Sequence, residues 1–340
     1  MNETSIRKKP AAQNSKLTIK EIACKLDLSP ATVSRALHDP ESPFVSRKTR
    51  RRVQEAAAQL GYRPNLTGRA LATGRTHLIS LWINNPYMPY YANIARCLHQ
   101  ESVKRGYHPI IRSVSTLSSE PTHWEAPDGL ADGIIASDVR EPLLKLLDLS
   151  PSLRRPLLSI GVLCVQKVDH VAIDLYAGAV EAVEHLVSTR SGRITALQYR
   201  ENDPRAVAYH DVMDRAGRAD ELVIIPDETR SSNRRFIRDY IEARGHPAAF
   251  FCHNDDVAIA AYRALCDLGL RVPDDVAIVG CDGIEDTEYL PVPITTIVSP
   301  VQEMIAIGWQ FLEHRMDEPS APIQSATLLP KLEIRESSMG

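Results

Sequence analysis

The chain has no run of about 18 apolar residues, so no segment reads as a membrane-spanning helix. Its opening stretch, MNETSIRKKPAAQNSKLT, lacks the apolar core of a secretory signal, and residues 1–16 read as a disordered tail. Cysteine is sparse. Cys24, Cys97, Cys164, Cys252, Cys266 and Cys281 form no C-x-x-C and stand at wide, irregular gaps. That pattern argues against a disulfide-dense secreted domain and against a zinc site, and it fits reduced thiols in a cytoplasmic protein. His253 and Asp255 stand near Cys252 without a second ligand pair, so no metal is expected. The phosphate-cradling patterns G-x-G-x-x-G and G-x-x-x-x-G-K-[ST] do not occur, nor does the G-x-S-x-G nucleophile turn, and no carboxylate pair is placed for hydrolysis. Neither a cofactor nor an enzymatic activity is therefore expected.

What is present is an ordinary soluble composition with an uneven charge. The 340 residues are 44% apolar and 24% charged, with a net charge of −3. Residues 1–76 hold 15 Lys and Arg against 6 Asp and Glu, whereas the remainder holds 25 against 37. A basic head on an acidic body points to a polyanionic partner for the head alone.

Three short helical patterns fill that head. Thr18 and Glu21 form a capping box before Ile19, Ile22, Ala23 and Leu26, an apolar stripe of helical spacing. Ser29 caps a second helix and Pro30 suits its first position, where no amide donor is lost. Val33, Ala36 and Leu37 share one face of that helix; Ala31, Ser34 and Arg35 share the other, with Thr32 at the flank. Ser46 caps a third helix, whose stripe is Val53, Ala56, Ala57 and Leu60, and Gly61 ends it. Each helix is too short to stand alone in water, so the three stripes must share a core. This is a helix-turn-helix module with small residues on the face offered to a groove.

The segments LTIKEIACKLDLSPATVSRAL and VSRKTRRRVQEAAAQLGYRPN resemble the head of the lactose/galactose-repressor family of bacterial transcription regulators. The resemblance implies that the second helix enters the major groove of operator DNA. Pro30 and Ala31 then occupy positions of variable base readout, and Arg35 is the arginine whose fork can bond guanine. Thr18, Thr32, Ser34, Ser46, Thr49, Tyr62 and Asn65 read as phosphate contacts that set register. NLTGRALATG (65–74) resembles the family's hinge helix, in which Leu71 wedges a minor-groove step and Ala72, like Ala70, allows two such helices to pack. Gly68 departs from that pattern, because mid-helix glycine costs about 0.5–1 kcal/mol relative to alanine. A plain flexible linker is the alternative reading of the hinge.

From His77 onward, apolar runs such as HLISLWI, DGIIAS, RITALQY, PAAFFC and DVAIVG alternate with helical stretches. That alternation predicts an α/β body with parallel sheets, and the length suits two lobes of the periplasmic-binding-protein kind. Ligands of such folds sit beyond the carboxyl ends of the strands. The resemblance implies effector contacts at Tyr90, Tyr91, Asp174, Arg205, Asn254, Asp255 and Asp282. In this reading Arg205 forks onto vicinal hydroxyls or a carboxylate, and the acids accept from sugar hydroxyls. Blander readings stand beside these: one tyrosine in the core, Asp174 bonded to loop amides, and Asp255 capping a helix at 255–268. The segment 114–131, with two prolines and no helical period, reads as a loop where the family has a helix. LLPKLEIRESS resembles the family's closing strand, and no heptad tail follows it, which favours a dimer over a tetramer.

The domains expected are the tail 1–16, a helix-turn-helix domain at 17–63, a hinge at 64–76 and a two-lobed effector-binding and dimerisation domain at 77–340. Together they describe a cytoplasmic repressor, nucleoid-associated when on DNA. It would bind a palindromic operator as a homodimer, with affinity set by a small sugar-like effector. A transport-system sugar-binding protein and an α/β enzyme are the rivals. The head and the absent catalytic motifs disfavour them.

Overall fold

A computed structural model of the chain describes residues 17–38, 42–62, 70, 74–114, 131–149, 155–226 and 229–339. The expectations for the tail, for Asn65, Leu71 and Ala72 in the hinge, and for the loop at 115–130 fall outside these residues. The chain divides into two units, Met1–Thr76 and His77–Gly340.

The first unit holds α1 (Ile19–Leu26), α2 (Pro30–His38) and α3 (Arg47–Gln59). The capping box forms in full: Thr18 N donates to Glu21 Oε2 at 2.6 Å and Glu21 N donates to Thr18 Oγ1 at 3.4 Å. Asp27 ends α1 by turning left-handed at φ 53°. Ser29 Oγ accepts from Thr32 N at 3.1 Å, and Ser46 Oγ accepts from Thr49 N at 3.1 Å, so each following helix begins at its expected cap. Ile22, Val33 and Val53 meet at the centre with Ala23, Ala36, Val45 and Ala57 around them. Burial of each larger aliphatic side chain there contributes roughly 1.5–3 kcal/mol. Arg52 Nη2 donates to Leu26 O at 3.0 Å, tying α3 to the end of α1.

The second unit has two six-stranded sheets. The first lobe begins with β1 (Leu78–Ile83), α4 (Pro89–Lys104), β2 (His108–Ser113), β3 (Gly133–Ser137), α5 (Arg140–Leu149), β4 (Leu157–Gly161) and β5 (Asp169–Ile173). The second lobe follows with α6 (Leu175–Thr189), β6 (Ile194–Gln198), α7 (Pro204–Arg215), β7 (Glu221–Ile224), α8 (Arg230–Arg244), β8 (Ala249–Cys252), α9 (Asp255–Asp267), β9 (Ala277–Asp282) and β10 (Thr295–Val298). The chain then returns to the first sheet through α10 (Val301–Asp317) and β11 (Ser325–Leu328), and ends in the second with β12 (Lys331–Glu333). Three crossings therefore join the lobes.

The sheet orders are β2-β1-β3-β4-β5-β11 and β7-β6-β8-β9-β10-β12. All pairings are parallel except β12, which runs antiparallel to β10. The single closing strand expected at the C-terminus is instead two strands in two sheets. Pro330, which has no amide donor, falls between them. Strand β10 was not among the expected runs: it is four residues long and half threonine.

Helices cover both faces of each sheet, so strands such as β3, β4, β6 and β8 are buried along their whole length. In the first lobe Ile79, Leu81 and Ile83 pack against Ile94, Leu98 and Trp309, while Trp82 and Ile134 face Leu143 and Leu146 on the other side. Strand order reverses at β1, flanked by β2 and β3, and at β6, flanked by β7 and β8. A crevice opens beyond the carboxyl ends at such reversals.

Candidate functional site

A cavity of about 400 Å³ lies at those carboxyl ends, lined from both lobes. Its size falls within the roughly 300–1,000 Å³ usual for small-molecule sites. Tyr90, Tyr91, Arg205, Asn254 and Asp282, all expected from sequence, are brought together on its wall. Tyr90 and Tyr91 open α4 with ring centroids 5.3 Å apart, edge to face. The Tyr90 hydroxyl is buried and has no hydrogen-bond partner among the described residues. Burial raises its pKa, and the nearby Asp138 and Asp282 carboxyls raise it further.

Arg205, in the first turn of α7, is almost fully buried. Its Nε and Nη2 donate to the two oxygens of Asp203 at 2.7 and 3.0 Å. Nη2 also donates to His253 Nε2 at 2.8 Å, and Nη1 donates to the His253 carbonyl. His253 Nδ1 lies 2.9 Å from Gln198 Oε1, so the ring donates there and accepts from Arg205 as the neutral tautomer. Burial and the Arg205 charge both hold the His253 pKa well below its usual value. Burial opposes ionisation of Asp203, yet the charge and hydrogen bonds of Arg205 hold that carboxyl far below the usual range. The expected fork onto a ligand is thus already occupied by the protein itself.

Asp282 ends β9 with φ at 121°, followed by Gly283 at 73°. That backbone brings Asp282 onto the cavity wall. Burial raises its pKa well above the usual value, the neighbouring Asp255 adds to the rise, and Arg205 acts against it. Asn254 caps α9 by accepting from Val257 N at 2.9 Å, and among the described residues its side-chain amide makes no hydrogen bond.

Two expected contacts lie elsewhere. Asp255 is fully buried beneath the wall, where its oxygens accept from Thr296 Oγ1 at 2.6 Å and Ile284 N at 2.9 Å. It neither touches the cavity nor caps α9; it pins the loop that carries Asp282. Gly280 is required beside it, since a Cβ there would stand 2.2 Å from Asp255 Oδ1. Burial pushes this carboxyl up to about 7, against the pull of its donors. Asp174 caps α6 at the first lobe crossing, accepting from Ala177 N at 3.0 Å. Asp174→Ala is therefore expected to cost about 1 kcal/mol of stability. The shift in melting temperature produced by a bound ligand should stay the same, and a lost shift would return Asp174 to the site.

Sequence reasoning missed Asp138, Asp203, Tyr199 and His253. Asp138 follows β3 at φ 54°, and its Oδ1 accepts from Val162 N at 2.7 Å and Leu163 N at 3.0 Å. Burial raises its pKa while those amides oppose the rise. Gly161 leaves the space: a Cβ there would lie 2.4 Å from Asp138 Oδ1. Asp203 stands at the N-cap of α7, a signal that could have found it. Among the described residues, no group of three or more His, Cys, Asp or Glu could hold a metal ion, and no helix is long and apolar enough to cross a membrane.

In the first unit, Pro30, Ala31 and Arg35 are exposed on α2, with Thr32 and Ser34 half-buried. The Arg35 guanidinium lies 5.3 Å from the ring centroid of Phe44, itself strongly exposed. Thr18 stands at the N-terminal end of α1, and Ser46 and Thr49 stand at that of α3; helix N-termini of this kind favour phosphate. Ser46 Oγ is also 2.9 Å from Thr49 Oγ1. Tyr62 packs against the small core. Ser46→Ala is expected to weaken binding to all DNA sequences evenly and to cost about 1 kcal/mol of head stability. A selective loss at one sequence in a gel shift would make Ser46 a base reader instead.

Residues 18–65 match the lacI family of bacterial regulatory proteins, and residues 183–338 match a periplasmic binding protein-like domain. The transcriptional repressor PurR of Aliivibrio salmonicida is 25% identical over 332 residues, covering 94% of this chain and 98% of its own. The repressor CytR of Escherichia coli is 27% identical, with coverages of 87% and 89%. Catabolite control protein A of Priestia megaterium is 25% identical, with coverages of 95% and 99%. Among solved structures, a complex of the transcriptional regulator CelR with cellobiose has a TM-score of 0.65 at 25% identity, covering 94% of this chain and 99% of that one. The Lac repressor dimer bound to operator reaches 0.75 at 21% identity, covering 96% and 100%, and shares the fold. These relatives are regulators, not enzymes, and they align along both units. The chain thus joins a helix-turn-helix head of the lacI family of bacterial regulatory proteins to a periplasmic binding protein-like body, and its transcriptional-repressor relatives align along both.

Proposed function

We propose that this regulator represses transcription by binding a palindromic operator as a homodimer, and that a sugar or sugar derivative in the inter-lobe cavity sets its operator affinity. The observation that carries the reading is the cavity itself, walled by Tyr90, Asn254, Asp282 and Arg205 at the carboxyl ends of strands from both sheets. A ligand there touches both lobes, so it favours one degree of closure over others. Closure changes the separation of the two hinges in a dimer, hence the fit to two half-sites. The domain limits are a helix-turn-helix at 17–63, a hinge at 64–76 and an effector and dimerisation domain at 77–340. The setting is the bacterial cytoplasm, at the nucleoid when operator is bound. Related regulators with cellobiose bound and with operator bound support the ligand class and the dimer.

A gel shift at moderate salt tests the DNA half of the proposal. Inverted-repeat duplexes should outcompete random duplexes of equal length by about 10³-fold or more once the preferred half-site is present. If no inverted repeat exceeds random DNA, the operator reading fails. In the hinge, Leu71→Ala is expected to remove operator bending in a circular-permutation assay. Unchanged mobility differences would show that Leu71 does not wedge the duplex.

A further inference from the structure

The guanidinium of Arg205 has five N–H groups, and four are used by the protein. Nε donates to Asp203 Oδ1, Nη2 donates to Asp203 Oδ2 and His253 Nε2, and Nη1 donates to the His253 carbonyl. Among the described residues one Nη1–H remains, and the guanidinium also interacts with the Cys281 thiol, a weak acceptor that a ligand oxygen displaces readily. The charge of Arg205 is matched by Asp203 at contact distance.

The other groups around this point favour a donor. Asp282 makes no side-chain hydrogen bond among the described residues, and Asp138 keeps Oδ2 with a single 3.5 Å contact from Ser137 Oγ. Tyr90 is more than nine-tenths buried, and its hydroxyl is unpartnered among the described residues. Two further cations on the lining, Arg140 and Arg200, are exposed to water, and Glu141 stands beside Arg140. An anionic ligand group placed against Arg205 would meet an already neutralised cation and two carboxyls.

We infer that Asp203 and His253 are positioning residues that make this cavity select uncharged ligands. By occupying the fork of Arg205 they leave a single hydrogen bond for the ligand, given to a neutral acceptor such as a ring or hydroxyl oxygen. The ligand's hydroxyls face Asp138, Asp282 and Tyr90. Sugar acids and sugar phosphates are disfavoured at the same position. This inference rests on the cavity being the effector site.

The test pairs each neutral pentose, hexose, disaccharide and nucleoside with its acid or phosphate ester, and follows melting of the full chain with each compound. At least one neutral compound should raise the melting temperature, and its charged partner should bind about tenfold or more weaker, the scale of one charge-assisted hydrogen bond. Asp203→Asn keeps the helix cap and the shape but frees the Arg205 charge. It should close or invert that gap, a change of ligand preference that a merely structural role would not produce. A charged compound that binds the wild-type chain as well as its neutral partner overturns the inference and leaves the effector site standing. If Asp203→Asn folds and the preference persists unchanged, Asp203 does not set it. The wild-type panel decides the selectivity even if the variant fails to fold. If no compound of either kind raises the melting temperature, the effector reading itself falls and takes this inference with it.

Discussion

Replacing Arg205 by alanine is expected to lower the stability of the two-lobed unit by about 3–5 kcal/mol and to abolish its response to ligand. The large effect comes from what is left behind. Asp203 would keep a half-enclosed carboxylate without its cation, and His253 Nε2 would lose its donor. For a unit of this size the loss corresponds to a fall in melting temperature of about 10 °C. The pH dependence carries a sign. In the wild-type chain the Asp203 pKa is depressed, because the charge and hydrogen bonds of Arg205 outweigh burial. The stabilisation from the pair is therefore complete above the unfolded carboxylate value near 4 and is lost as pH falls through the lower folded value. In the variant the guanidinium is gone, and only the residue 205 amide and His253 still oppose burial, so the Asp203 pKa rises from its wild-type folded value. The deficit should then be greatest at neutral pH and shrink in mild acid, as the stranded carboxyl takes up a proton. Melting curves of both proteins between pH 4 and pH 8, taken as roughly the range over which the carboxyl changes state, check this. A deficit that stays constant with pH would mean that Asp203 is not the group left unpaired.

The second large effect belongs to Arg35. Arg35→Ala is expected to remove about 1–3 kcal/mol of discrimination per half-site, hence about 2–6 kcal/mol for a dimer on its palindrome. Pro30 and Ala31, exposed on the same helix, carry no side-chain donor, so the guanidinium is the strongest base reader that α2 offers. Its seat against Phe44 limits its rotamers in the free head, which lowers the entropy lost on docking. Binding to random duplexes should fall little, by about the contribution of one phosphate contact per subunit. Competition gel shifts with the preferred and random duplexes separate the two outcomes. Equal losses on both would make Arg35 a backbone contact.

The helices of the head and most strands of the body were legible because their signals are local. Thr18, Ser29 and Ser46 mark helix starts by capping chemistry, and buried parallel strands appear as short apolar runs. What was hidden is set by distant parts of the chain. Asp255 looks like a ligand contact in a linear reading, yet Gly280 opens a space beneath the wall and Thr296 fills its hydrogen bonds. Asp138 reaches the cavity because the missing side chain of Gly161 admits it, and its left-handed backbone turns it there. The occupation of Arg205 depends on His253, 48 residues away, at the end of another strand. No period or motif reports such pairings, although the closeness of Asp203 to Arg205 in sequence was a usable hint.

Effector control of DNA binding is tested most directly by one titration. The full chain is added to its preferred inverted-repeat duplex, labelled for fluorescence anisotropy, with and without a saturating amount of the compound that most raises its melting temperature. Operator Kd is expected to change by about 5- to 150-fold, the range of a coupling free energy of about 1–3 kcal/mol, and the change should vanish in Asp282→Ala. An operator Kd that stays the same at saturating ligand would contradict control of operator binding through the cavity.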